Sequence, residues 1–227
     1  MKIKFWGVRG SIATPGPTTV RYGGNTTCIE VRADDGTLVI IDAGTGIHPL
    51  SYTLLGQQPV EANIFLTHTH WDHIQGLPFF VPIFIPGSVI RLHGAYDPVT
   101  NQGVEQVMAV QLQYSFFPVR EVELRGKLEY TTLTPEQPIH VGPENGGATI
   151  TPYLLNHPVI DFGYRIECRG ANNEVKSVFF TGDHEPPYNI YQPGEPEYAE
   201  YQGYVEEKQA AILKGMQGVD VLIADTS

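Results

Sequence analysis

Apolar and polar positions along the 227 residues fall into short runs separated by turn-forming residues. Residues 2–7 read as a strand, followed by a Gly-, Pro- and Thr-rich loop to Asn25. Residues 26–32 are rich in β-branched side chains with partial alternation, and Asp34-Asp35-Gly36 is a turn signal. Residues 37–41 (TLVII) form an apolar run that reads as a third strand. These three strands suggest an antiparallel meander. A short helix is expected over 47–56, a buried strand over 62–66, and apolar, partly helical packing over 74–84. A strand over 89–93 and a helix over 97–113 follow, the latter with Val104, Val107, Met108 and Leu112 near one face. Residues 121–141 alternate but contain proline, which suits edge strands. Three strands (149–155, 163–168 and 175–180), a Pro/Tyr-rich loop (188–198), a helix (201–216) and a last strand (219–224) complete the pattern. Two groups of strands, each followed by helix, predict an α/β (α+β) fold: two sheets with helices on the outside, a four-layer αββα sandwich. The length suits one core, and no linker interrupts it, so a single domain over 1–227 is expected.

Composition narrows the class. The apolar fraction of 41% and charged fraction of 17% are those of a globular chain. Fourteen Lys and Arg stand against 25 Asp and Glu, a net charge of −11. That balance disfavours nucleic acid as the main partner, because polyanion affinity is supplied largely by cations contacting phosphate. A small phosphodiester stays compatible, since a metal ion can supply local positive charge. Two cysteines, Cys28 and Cys168, are too few for a disulfide framework and are expected as buried thiols. No stretch approaches the ~20 apolar residues of a membrane span, and no secretion signal follows Met1, so a cytoplasmic protein is expected.

Candidate chemistry is concentrated in Thr67-His68-Thr69-His70-Trp71-Asp72-His73. Imidazole nitrogen and carboxylate oxygen are the donors that zinc-type ions prefer. On an extended segment alternate side chains point the same way, so His68 and His70 can share one ion. Asp72 and His73, past the turn, can face a second. Other histidines read more simply: His48 as a surface or hydrogen-bonded residue, His93 as structural at a strand end, His140 as exposed. Trp71 packs under the ligand loop or lines the pocket. Arg9 and the glycines beside Asn25 are candidates for phosphate contact or an ordinary turn, and the tyrosines from Tyr188 to Tyr204 for a lid, a stacking surface or a dimer contact.

THTHWDH resembles the signature of the metallo-β-lactamase superfamily. VIIDAGTG at 39–46, LLNHPVIDFGYRI at 154–166 and FFTGDHE at 179–185 resemble further superfamily segments in the expected order. WGVRGS, YGGNTTC and the HP…GYR segment look closest to its phosphodiesterase branch, which holds tRNA 3′-processing endonucleases and cyclic nucleotide or cyclic-phosphate phosphodiesterases. The resemblance implies one or two divalent ions, zinc first, with manganese or iron as alternatives. His68, His70 and His157 would hold the first ion. Asp72, His73 and a further histidine would hold the second, with Asp183 bridging. Asp72 and Asp183 would be the catalytic carboxylates, and Asp42 would fix a ligand histidine. The implied activity is hydrolysis of a small or cyclic phosphodiester by metal-activated water, and the resemblance also allows a homodimer. The alternatives are a thioester- or lactone-type hydrolase at the same ions, or a binding or sensory module. One departure stands out: no histidine follows His184. The chain therefore stops short of the implied last ligand or builds its second site from fewer. Strand alternation points His184, next to Asp183, to the opposite face.

Overall fold

A computed structural model describes residues 1–170 and 172–225. Its first sheet has the order β1-β2-β3-β4-β5-β6, made of Lys2–Gly7, Cys28–Arg32, Leu38–Ile41, Glu61–Phe65, Val89–Gly94 and Lys127–Thr132. β1 to β3 pair antiparallel, as the turn signals predict, and β3 to β6 pair parallel. The second sheet has the order β11-β10-β9-β8-β7, made in chain order of Ile139–Val141, Ala148–Leu154, Phe162–Arg169, Val175–Phe180 and Val221–Ile223. β6 and β7, from the proline-containing stretch, are edge strands of the two sheets.

The continuous apolar run of β3 follows from its place between two cores. Leu38 and Ile40 pack with Ile64, Leu66, Ile90 and Leu92 under the helical layer of α1 (Ile47–Thr53), α2 (Trp71–Ile74) and α3 (Val104–Gln111). Val39 and Ile41 point the other way, to Phe65, Ile150, Phe162, Tyr164 and Ile166 between the sheets. Each fully buried Leu or Ile contributes roughly 1.5–3 kcal/mol, so a polar residue anywhere in β3 is costly. The fourth layer is α4 (Tyr198–Met216), with Val205, Ile212 and Gly215 buried. A side chain at Gly215 would strike the rings of Phe179 and Tyr153, so glycine sets how closely α4 lies on the outer face of the second sheet. The four-layer αββα sandwich is thus the observed architecture. Cys28 and Cys168 are both buried and free, in different cores.

Several element boundaries depart from expectation, among them α4, which starts at Tyr198 and not 201. α3 begins at Val104, not 97, because the Asp97 carboxylate accepts hydrogen bonds from the Val99 amide (2.9 Å) and the Thr100 hydroxyl (2.7 Å), locking a turn there. α1 tightens into a 3-10 turn over Leu55–Gln57. The ligand-rich segment, read as loop, becomes helical at Trp71, which carries Asp72 and His73 on α2. Among the described residues no helix is long and apolar enough to cross a membrane.

Register positions the site. Ile41, Phe65 and His93 are aligned partners at the ends of three parallel strands, so Asp42 and Thr67-His68 leave the sheet at one rim. The β8–β9 connection and the end of β10 reach the same rim from the second sheet. The Phe162 amide donates to the Thr67 carbonyl (2.9 Å), and the Tyr164 hydroxyl donates to the Leu66 carbonyl, tying the sheets together there.

Candidate metal centre

At that rim the chain gathers residues from four segments. His68 Nε2 lies 2.9 Å from His70 Nδ1, which lies 3.3 Å from His157 Nε2. Donor atoms of His68, His70 and His157 all fall within 4.8 Å of one another, as do those of His68, His73 and Asp183. His68 belongs to both groups. Asp183 Oδ2 is 3.3 Å from His73 Nε2 and 3.8 Å from His68 Nε2, facing both. Asp72 stands beside the second group: its Oδ2 is 3.5 Å from His73 Nε2 and accepts the Ser11 amide at 2.7 Å.

Asp42 is fully buried at φ 61°, a left-handed conformation that Asp tolerates better than most residues. Its carboxylate accepts from the Thr67 amide (2.8 Å) and hydroxyl (3.0 Å) and lies 2.8 Å from His73 Nδ1. A proton held on Nδ1 leaves the Nε2 lone pair free, and that buried Nε2 has no hydrogen-bond partner among the described residues. Imidazole and carboxylate donors aimed at a shared point, one of them an orphaned buried nitrogen, fit a divalent cation.

Two carboxylates make this point attractive to positive charge. Burial disfavours the charged form of His73, but the Asp42 and Asp183 carboxylates overcome it and push its pKa up to about 11, so a cation binding at Nε2 displaces a proton. Burial alone would raise the Asp183 carboxyl, yet His73, with Nε2 3.3 Å away, holds it below the usual carboxylate range, first by this close approach and then by its charge. Burial, then the neighbouring His68 and His157, lower His70, which favours its neutral, lone-pair-bearing form.

Two residues here have no role in the sequence reading. Asp161 is fully buried, with Oδ1 3.3 Å from His68 Nδ1. Glu185 lies 3.2 Å from His157 Nδ1. A lone carboxylate opening the apolar run before GYRI was the available signal for Asp161; none existed for Glu185. A side chain on Gly182 would meet the Asp161 carboxylate at 2.9 Å, and its φ of +56° also favours glycine, so the approach to Asp183 requires this residue. His184 lies outside both groups, its Nδ1 3.5 Å from the Asn156 amide. His93 is buried and stacked on Phe65, His140 is exposed, and His48 contacts Tyr52 and the Phe79 carbonyl. Trp71 is exposed, and Arg9 Nε donates to Thr14.

A beta-lactamase superfamily domain matches residues 37–227. The chain belongs to this superfamily. Among curated proteins it is similar to ribonuclease Z of Staphylococcus carnosus (strain TM300), 29% identical over 185 residues, covering 77% of this chain and 52% of that protein. It is also similar to ribonuclease BN of Escherichia coli (strain SE11), 25% identical over 197 residues, covering 85% and 58%. The chain therefore spans about half the length of the curated relatives it matches. Among solved structures, unliganded yeast PDE1 superposes with a TM-score of 0.60 at 18% identity, over 99% of this chain and 74% of that one. Zn(2+)-bound PqqB from Methylobacterium extorquens superposes at 0.55 and 15%, over 99% and 70%. Both likenesses bear out the superfamily fold, which implies divalent-metal binding.

The ribonuclease relatives overturn the expectation that nucleic acid is an improbable main partner. Net charge averages over a whole surface, whereas phosphate is met by the local field of a site, where a bound cation can be the largest charge.

Proposed function

We propose that this superfamily member hydrolyses phosphodiester bonds, with RNA as the substrate class, at a divalent-metal centre. The observation that carries this reading is the convergence of His68, His70, His73, His157 and Asp183 on two donor groups sharing His68. In this reading His68, His70 and His157 hold one ion. His73 and Asp72 hold a second, with Asp183 between them. The nitrogen-rich donor set favours zinc, with manganese or iron as alternatives. A cation so held lowers the pKa of water and offsets charge developing on phosphoryl oxygens. Asp72, steadied by the Ser11 amide, is the carboxylate at the rim suited to take a proton from water. Asp42 keeps the His73 proton on Nδ1, and Glu185 does the same for His157. The ribonuclease names of the curated relatives support RNA over other diesters.

The test is elemental analysis of the chain after zinc or manganese loading, with turnover of an end-labelled oligoribonucleotide and of bis(p-nitrophenyl) phosphate on the same sample. Metal uptake with RNA cleavage, both lost in His68→Ala, is expected. A metal-loaded chain that cleaves neither substrate would refute the activity. Cleavage of the small diester alone would refute RNA as the substrate class and leave a small-diester hydrolase.

A further inference from the structure

Beside His157 the β8–β9 connection, the loop after Asp183 and α4 enclose a cavity of about 250 Å³. Tyr188, Ile190, Tyr201 and Tyr204 line it. On α4, Tyr201, Tyr204 and Lys208 recur at three- and four-residue spacing, so they share one face. Tyr201 packs edge-on against Tyr191 (centroids 5.5 Å apart) and lies tilted by 52° against Tyr204 (5.8 Å), holding that ring from one side. Tyr204 is nevertheless 54% exposed and Tyr188 72%. With Ile190, 56% exposed, they leave an apolar patch around one cavity beside the candidate metal site, and grouped apolar surface of this kind marks binding sites where scattered residues do not.

Tyr204 also borders a second cavity, of about 480 Å³, which shares His157 and Pro158 with the first and is lined by Lys208. The Lys208 ammonium donates to Asn156 Oδ1 at 3.1 Å, one residue from His157. In a chain of net charge −11, this places a cation close to the metal cluster, on one side of an exposed aromatic ring. Flat apolar faces plus a cation are the two elements of single-stranded nucleic acid binding: rings for bases, ammonium for phosphate. The first cavity is smaller than the ~300–1,000 Å³ of drug-sized sites, a size suited to one ring system rather than a large ligand.

We propose that this cavity is a nucleobase subsite, in which the base adjoining the scissile phosphate stacks on Tyr204 and Tyr188 while Lys208 pairs with a flanking phosphate. The proposal rests on the phosphodiesterase reading and deepens it. It makes the enzyme prefer diesters that carry a nucleoside, without reading base identity, because every base has a π-face.

The test compares thymidine 5′-p-nitrophenyl phosphate, which carries a base, with methyl p-nitrophenyl phosphate, which does not, using the full metal-loaded chain. Selectivity is the ratio of the two kcat/KM values. Tyr204→Leu should lower it at least about fivefold, the low end of what loss of one stacked base costs. Tyr204→Phe, which keeps the ring, should retain it. Unchanged selectivity in Tyr204→Leu would overturn the subsite. Should the wild-type chain hydrolyse neither diester, the phosphodiesterase reading fails, and the subsite is judged separately by calorimetric titration of the metal-free chain with uridine 5′-monophosphate. Binding that weakens at least about fivefold in Tyr204→Leu supports it. No binding by the wild type, or equal binding by the variant, overturns it.

Discussion

Replacing Asp42 by Asn isolates the role of one buried charge. The side chains are nearly the same shape, and Asn also tolerates the φ of 61° at this position. The Asn carbonyl can still accept from the Thr67 amide, now 2.8 Å from Asp42. What changes is the partner of His73. An amide NH₂ facing Nδ1 donates where the carboxylate accepted, so the neutral ring must carry its proton on Nε2. That atom is the one 3.3 Å from Asp183 and 3.5 Å from Asp72, and a protonated nitrogen cannot ligate. Loss of a carboxylate partner of this kind typically weakens metal affinity by about 10–100-fold. The hydrogen bonds to the charged group contribute roughly 1.5–3 kcal/mol each, so some stability is lost as well. The assay is zinc competition against a chromophoric chelator on refolding-competent, metal-free protein, with urea unfolding alongside. The variant should bind zinc at least about tenfold more weakly while remaining folded. Affinity within twofold of wild type would refute the tautomer argument and remove Asp42 from the metal site.

Three further outcomes follow from the geometry. Gly182→Ala places a Cβ 2.9 Å from the Asp161 carboxylate at a φ of +56°, so urea unfolding should show a loss of at least about 1–2 kcal/mol; no loss would mean that the loop relaxes freely. Burial, then Arg91, lowers the His93 pKa to about 4; because the unfolded chain takes up this proton first, stability falls as pH drops from about 6.5 toward 4. That group contributes about 2 kcal/mol less at pH 5 than at pH 7.5, a slope that His93→Gln should flatten in paired urea titrations. Zinc at about 100 times its Kd should stabilise the chain by about 2.7 kcal/mol, and His68→Ala should erase that gain in melting curves taken with and without chelator.

Much of the sandwich was legible because its signals are local. TLVII and ANIFL are strands bounded by turn residues, and being covered on both faces makes their sequences uniformly apolar. His68, His70, Asp72 and His73 were legible for the same reason: six residues of chain bring them together. The misread helix start at 97 reflects a competing local interaction, the Asp97 side chain capping its own turn. Asp161 and Glu185 were out of reach for a different reason. Asp161 meets His68 across 93 positions and Glu185 meets His157 across 28, and only the pairing of strands in two sheets decides those neighbours. The acidic composition misled because it describes the average surface and not the rim.

The hydrogen bond from Phe162 to Thr67 joins the two sheets at the rim. Each donor group draws on both halves of the chain: His68 and His70 meet His157, while His68 and His73 meet Asp183. Neither half alone can present a complete set. The first sheet can form from nearby segments, but contacts spanning so much of the chain close late, since their loop entropy must be met before they stabilise anything. If these groups hold the metal as proposed, its capture would report on maturation: a chain lacking its second sheet would offer a cation only an incomplete set of histidines, and tight uptake would require that the two sheets have docked.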